Sequence, residues 1–546
     1  MNKNLKTYFL AVGIFFAFYG CQDMLNTNSS LIAMEDEYQI TNEAEAKRAL
    51  SGILNQLTAI ADRYVLMGEL RGDLMTTTDF AVTDLKAVNL FEVSNENEYS
   101  NKKEYYNIIN NCNILLQKLD TTLVLQNRKA MLPYYVWTKT LRAWTYFQLG
   151  QIYGKVSYFT QPILTMETSL AEYPVKQLDE LVNTLIDELN PYASFVSDGS
   201  IAGYVSIIPV GIFLGDLYLY KNDYRNAASL YYHEIYNRNY RIYNYANQWT
   251  DTNMELASIG HPATYSGEWI AEIPGYTSMQ NIHSRMVNLT YNKKPSIIPS
   301  ENYVRFMSEA LYLHAINNGV LEVPGDLRAY IPLKNGLVGD AYTYETIQNK
   351  EECLIFKYFR NSTAFNGSDP ENELMSGLHI NTSISVYRIP HLYLRFAEAL
   401  NRLEKPTLAF AVLKYGLKYA YVDPESIECK VNPDELGEEF TQFPPMFDGN
   451  TAMAARGRGN GIPVDTEFFI IPDLATKQDS VLWVEERILE EMAAETAFEG
   501  NRFFDLLRIS RHRDNHPEFM AEKVAAKYSD ETLKEKLKNI NNWFLP

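Results

Sequence analysis

Two stretches of the sequence, GIFLGDLYLYKNDYRNAASLYYHEIY (211–236) and RIPHLYLRFAEALNRLEKPTLAFAVLKYGLKYA (388–420), carry one pattern: an apolar helical run, a short polar turn, and a second run with alanines on its inner side. Leu214, Leu217 and Tyr218 precede the first turn, and Ala227, Ala228 and Tyr231 follow it. Ala397, Ala399 and Leu400 precede the second, and Ala409 and Leu413 follow. Small residues at these positions let two helices approach closely, so each stretch is predicted to be a helical hairpin. A strict repeat period is missing, which argues against a regular solenoid and for irregular hairpins in one mainly α-helical scaffold.

Other segments share the helical spacing. In TNEAEAKRALSGILNQLTAIADRY (41–64), Leu50, Ile53, Leu54, Leu57, Ile60 and Tyr64 fall on one face, and Asn42 followed by Glu45 reads as a capping arrangement. Further helices are expected at about 99–119, 128–153, 176–190 and 480–509. The aromatic-rich stretch TLRAWTYFQLGQIYGKVSYF (140–159) reads as packing, with Leu141, Trp144, Tyr146, Phe147 and Ile152 in the core. Residues 237–387 and 421–480 are different: Pro, Gly and Asn interrupt possible short strands such as EWIAEIPGY, ECLIFKYF and SVYRI. Two long irregular inserts in a helical chain are uncommon without a role, so both are candidate binding regions.

A formal charge of −19 and a pI near 5.0 argue against a nucleic-acid surface, which needs clustered Lys and Arg. At the N-terminus, Lys3 and Lys6 precede an apolar run from Phe9 to Phe18, the pattern of a cleavable signal too short to span a bilayer. Gly20 before Cys21 looks like a lipoprotein signal, so residues 1–20 are expected to be removed and Cys21 to carry the lipid. The rest, 21–546, is expected to form one domain. Cys112, Cys353 and Cys429 then remain as an odd set with no metal-binding spacing, and buried free thiols are expected.

Catalytic signatures were sought without success: HExxH, GxSxG and GxxxxGK[ST] do not occur, and no metal or cofactor is implied. Glu491, Glu495 and Glu499 recur at i, i+4 on one helical stripe with Arg487 and Arg502 nearby, and the favoured reading is a solvated, ion-paired helix face rather than a catalytic pair. The affirmative signal is aromatic. Trp249, Tyr265, Trp269, Tyr276 and Tyr291 lie in the first insert, off any periodic helix face, and flat rings flanked by polar groups suit sugar faces or peptide backbones.

Several blocks together resemble the RagB/SusD family of nutrient-uptake outer-membrane lipoproteins. ELRGDLM (69–75), YYNIINNCNILLQKLD (105–120) and LRAWTYFQLGQIYGKVSYF (141–159) are similar to its N-terminal blocks, and LYLRFAEALNRL (392–403) and EEMAAETAFEGNRFFDLLR (490–508) to its C-terminal signature helices. Lys155, Ser157 and Met492 depart from the family pattern. The resemblance implies a SusD-like fold of tetratricopeptide-like hairpins with a loop-rich ligand face. It also implies lipid anchoring at the cell surface and a SusC-like TonB-dependent transporter as partner. The implied role is capture and delivery of an oligomeric nutrient, an oligosaccharide or alternatively an oligopeptide, without catalysis; a surface hydrolase using paired carboxylates is the competing reading. The ligand-binding candidates are Trp269 and Tyr276, with Trp249 and Tyr265 behind them, and Arg71 and Asp73 as hydrogen-bonding charges, the favoured reading of that last pair being an internal salt link at a helix end.

Overall fold

The computed structural model describes residues 39–195, 207–243, 268–277, 282–290, 294–316, 319–326, 328, 355, 357–361, 379–381, 383–462, 469–528 and 531–546. Residues 1–20, Cys21, Trp249, Tyr265, Tyr291 and Cys353 lie outside this set, and Tyr276 is described in its backbone alone.

The N-terminal helices are α1 (Glu43–Gln56) and α2 (Ala61–Glu69), joined by a 3₁₀ turn. The Asn42 side chain accepts from the Glu45 amide at 2.8 Å, as the sequence predicts for an N-cap. Then come α3 (Lys103–Lys118), α4 (Leu132–Tyr153) and α5 (Leu178–Leu189), followed by the two hairpins α6 (Val210–Tyr220) with α7 (Tyr224–Arg238) and α8 (Ile389–Arg402) with α9 (Pro406–Lys414). Each helix from α3 to α9 packs on the next, so the hairpins form a continuous array. The array closes with α10 (Lys477–Thr496) laid across α8 and α9, and α11 (Arg502–Ser510) against α2.

Packing explains the sequence pattern. Leu141, Trp144, Tyr146, Phe147 and Ile152 of α4 are all buried, so the aromatic load of this helix is core. The helix stops at Gly154, whose φ of +74° is a left-handed cap that other residues adopt at a cost. In the first hairpin, close approach depends on glycine as well as alanine: a Cβ on Gly215 would stand 2.6 Å from the Tyr231 ring.

The helix expected over 480–509 is two helices. Phe498 and Gly500 both take positive φ between α10 and α11, and a Cβ on Gly68 would overlap the Gly500 carbonyl. Backbone therefore meets backbone where α2 crosses this turn. Glu69, at the end of α2, holds the turn in place: its carboxylate accepts the amides of Phe498, Gly500 and Asn501 at 2.9–3.1 Å and that of Arg502 at 3.3 Å.

Strands are few and short. Within the first insert, EWIAEIPGY and SVYRI supply Trp269–Ile273 and Ile384–Arg388, which pair antiparallel with an irregular register after Ser385. Met75–Thr77 pairs with Ile297–Pro299 and ties the segment after α2 to the same insert. Among the described residues, no helix is long and apolar enough to cross a membrane. The described cysteines, Cys112 and Cys429, are free; Cys112 is buried and Cys429 half-buried.

Candidate functional site

The carboxylate stripe is ion-paired, as expected, but it is buried rather than solvated. Arg388 donates to both Glu499 oxygens at 2.7 and 3.0 Å and to Glu495 at 3.2 Å, and Arg328 donates to Glu491 at 2.9 Å. Arg456 bridges Glu495 and Glu268. Burial pushes the Glu495 and Glu499 carboxyls up, but the surrounding cations outweigh it and hold both below the usual range. Glu495 and Glu499, the latter in the turn just past α10, are thus held as anions that tie this end of α10 to Arg388 at the start of α8. Glu272, on the strand facing Ser385, differs: burial pushes it up to about 7 against a hydrogen bond from Ser383.

The proposed ligand contacts that the structure describes face inward. Asp73 is buried and receives Arg502 at 2.6 and 2.9 Å, an internal salt link at the end of α2. Arg71 is not part of that link. Its guanidinium is fully buried 4.0 Å from the centroid of the Phe503 ring, and its three nitrogens have no hydrogen-bond partner. Burial lowers its pKa to about 9. Trp269 is 7% exposed and lines a small pocket together with Tyr358 and Glu499. Arg71, Asp73 and Trp269 thus present little or no surface to a solvent-borne ligand in this conformation.

Open aromatic surface lies elsewhere, on the outer face of α7. The Asp223 side chain caps this helix, and its inner side carries Ala227, Ala228, Tyr231 and Ile235. Helical spacing then turns Tyr232, His233, Tyr236 and Asn237 outward, against the irregular segment 419–444. Between them is an open cleft of about 650 Å³. The far wall is fixed by capping: the Glu435 carboxylate accepts the Thr407 and Leu408 amides at the start of α9, and Lys405 donates to the Glu435 carbonyl at 2.7 Å. Across the cleft floor, the Tyr232 hydroxyl donates to the Gln442 carbonyl at 2.7 Å.

The rings of the cleft are rooted in the core. Phe396 of α8 meets Phe443, which meets Tyr232 edge-on at 5.6 Å, and Tyr232 meets Tyr236 at 5.7 Å. Buried ring thus passes contact to the ring of Tyr236, which is 42% exposed; Tyr419, on the opposite wall and 44% exposed, is outside this chain of contacts. Tyr236 is thereby held in place, which lowers the ordering cost of any contact it makes. Burial raises the Tyr232 phenol to about 12, and Asp423 beside Tyr419 raises that phenol too, so both remain neutral hydrogen-bonding groups at ordinary pH. The sequence marks 421–480 as a binding candidate but reads α7 as scaffold alone. Tyr232 and Tyr236, one turn apart and off the alanine face, were the available signal.

The described residues thus form a packed array of helical hairpins carrying an open, ring-lined cleft. No family model matches the chain. It is 22% identical over 535 residues, 93% of this chain and 92% of the other, to the SusD-like protein P38 of Formosa agariphila. Its fold matches a SusD superfamily protein of Bacteroides vulgatus with a TM-score of 0.60 at 16% identity, covering 92% of this chain and 95% of that one. A SusD superfamily protein of Bacteroides thetaiotaomicron matches at 0.55 and 17% identity over 88% and 93%, and a laminarin binding SusD-like protein at 0.52 and 14% over 93% and 96%. The fold is the one these SusD superfamily structures share, and over nearly its whole length the chain is similar to a SusD-like protein, in agreement with the motifs.

Proposed function

We propose that this chain is a non-catalytic surface lipoprotein that captures an oligosaccharide and passes it to a SusC-like TonB-dependent transporter in the outer membrane. The observation that carries the reading is the cleft between α7 and 419–444, where Tyr236 and Tyr419 stand half-open on opposite walls. Flat rings with hydroxyls, and amides such as Asn237 and Gln442 beside them, match the alternation of apolar faces and hydroxyl edges on a sugar chain. The SusD-superfamily fold and the laminarin binding relative of the same fold support the ligand class. Lipidation at Cys21, the signal at 1–20, a single domain over 21–546 and the transporter partner rest on the sequence pattern and the family resemblance.

Calorimetric titration of the mature chain with neutral oligosaccharides, and in parallel with an oligopeptide pool, tests the reading. Tyr236→Ala and Tyr419→Ala are each expected to weaken oligosaccharide binding about 5- to 30-fold, the loss of ~1–2 kcal/mol of ring contact. Unchanged affinity in both variants would move the site to the first insert, where Trp249, Tyr265 and Tyr276 are the residues to change next. Saturable binding of peptides alone would replace the ligand class. Release of shorter chains during incubation, abolished by Glu272→Gln, would establish the hydrolase reading instead.

A further inference from the structure

The charges around the cleft narrow the ligand further, on the reading that the cleft is the binding site. Its lining carries three ionisable side chains besides tyrosine, namely His233, Asp423 and Glu439, and includes neither Lys nor Arg. The Glu439 side chain is 76% exposed, with His233 3.7 Å away on the opposite wall. Three bases nearby are committed to other carboxylates: Lys405 reaches the Glu438 carboxylate at 3.1 Å, Arg225 pairs with the same group, and Arg238 holds Glu234 at 2.8 Å, while Lys418, next to Tyr419, stands over the Tyr421 ring. Those contacts neutralise Glu438 and leave Glu439 and Asp423 as the carboxylates that face an incoming chain.

Recognition of a carboxylate or sulfate is strongest with cationic donors, best of all an arginine fork. A polyanionic glycan would bring its charges against two fixed carboxylates with no such donor in the lining, within a chain of formal charge −19. Its hydration would be lost and not replaced. A neutral chain meets no such opposition, and its hydroxyls can donate to the same carboxylates. We infer that the cleft is a selector for uncharged saccharide chains and excludes uronate-rich or sulfated ones.

The test uses the mature chain and matched probes: β-1,3-gluco-, β-1,4-gluco- and β-1,4-manno-hexasaccharides, each beside its counterpart oxidised to the carboxylate at C6. For a neutral probe that binds, the oxidised counterpart is expected to bind at least about 10-fold more weakly at low salt, narrowing at high salt as screening shortens the reach of the carboxylates. The double variant Asp423→Asn/Glu439→Gln is expected to close most of that gap, by strengthening binding of the oxidised probe and by weakening that of the neutral probe, whose hydroxyls lose two charged acceptors. Equal or tighter binding of an oxidised probe that Tyr236→Ala or Tyr419→Ala weakens would overturn the selectivity while leaving the cleft as the site. Binding of either class that is indifferent to both Tyr236→Ala and Tyr419→Ala would overturn the cleft itself, and absence of binding by all six probes would overturn both.

Discussion

Replacing Arg71 with methionine should make the protein more stable. The guanidinium is completely buried and its nitrogens find no hydrogen-bond acceptor, which is the arrangement in which a charge is most expensive to keep. Its pKa falls from 12.5 to about 9, and a fall of that size corresponds to roughly 4–5 kcal/mol against the charged form. The Phe503 face, 4.0 Å away, returns about 2 kcal/mol as a desolvated cation–π contact. The remainder, about 2–3 kcal/mol, is a penalty that methionine does not carry, less up to ~1 kcal/mol for imperfect filling of the space. Arg71→Met should therefore gain about 1–2 kcal/mol in urea unfolding at neutral pH, with an unchanged m-value. Arg71→Lys should lose stability, because a compact ammonium is harder to desolvate and stacks less well. If Arg71→Met were instead less stable than the parent by 1 kcal/mol or more, the guanidinium would have a compensating partner and the reasoning would fail.

Three other outcomes follow from the same kind of geometry. Burial raises Glu69 from 4.5 to about 7, so its protonation favours the fold; that contribution is complete below about pH 4.5 and is lost as pH rises through 7, and the stability of the parent relative to Glu69→Gln should fall by up to ~3 kcal/mol across the window. A difference that stays flat with pH would mean that the four amides of the Phe498–Arg502 turn keep the carboxylate ionised throughout. Gly500→Ala should cost about 2–4 kcal/mol in thermal unfolding, because φ is +90° and the new Cβ would lie 2.7 Å from the Tyr64 ring. Burial raises the Cys112 thiol to about 12, so a thiol reagent near neutral pH should modify the half-buried Cys429 in the native protein and reach Cys112 only on unfolding, as peptide mapping would show.

Helices were legible because their signal is local. The Asn42 cap, the α4 core residues and both hairpins follow from spacing over one or two turns, and each appears in the structure near its predicted place. The break at Phe498–Gly500 was not legible from the surrounding periodicity. The Ala-rich run before it and FFDLLR after it both have helical spacing, and what fixes the turn is Glu69, more than four hundred residues earlier in the chain. An internal salt link was the favoured reading of Arg71 and Asp73, but their actual partners were hidden for the same reason. ELRGDLM sits just past a helix end, where charges are commonly wet, and only the packing of α11 against α2 places Phe503 over one residue and Arg502 on the other.

The glutamate stripe shows why a charge pattern alone leaves both burial and function open. Glu491, Glu495 and Glu499 were expected on water because three carboxylates on one face carry a large solvation demand. The structure meets that demand from elsewhere in the chain: Arg328, Arg388 and Arg456 come from separate segments and enclose the stripe between α10 and α8. Once each carboxylate is shared among guanidinium groups, it has little freedom to accept a ligand or exchange a proton, and removing one partner would leave an uncompensated charge inside the core. The cleft has the opposite arrangement. Glu439 and Asp423 stand at the edge of the cleft, near rings anchored by Phe443 and Phe396, with His233 and Tyr419 as their side-chain neighbours, and on the proposed reading they remain open to a ligand. The division between charges spent on architecture and charges left for recognition is set by which arginines arrive, and those come from parts of the sequence that no local window joins.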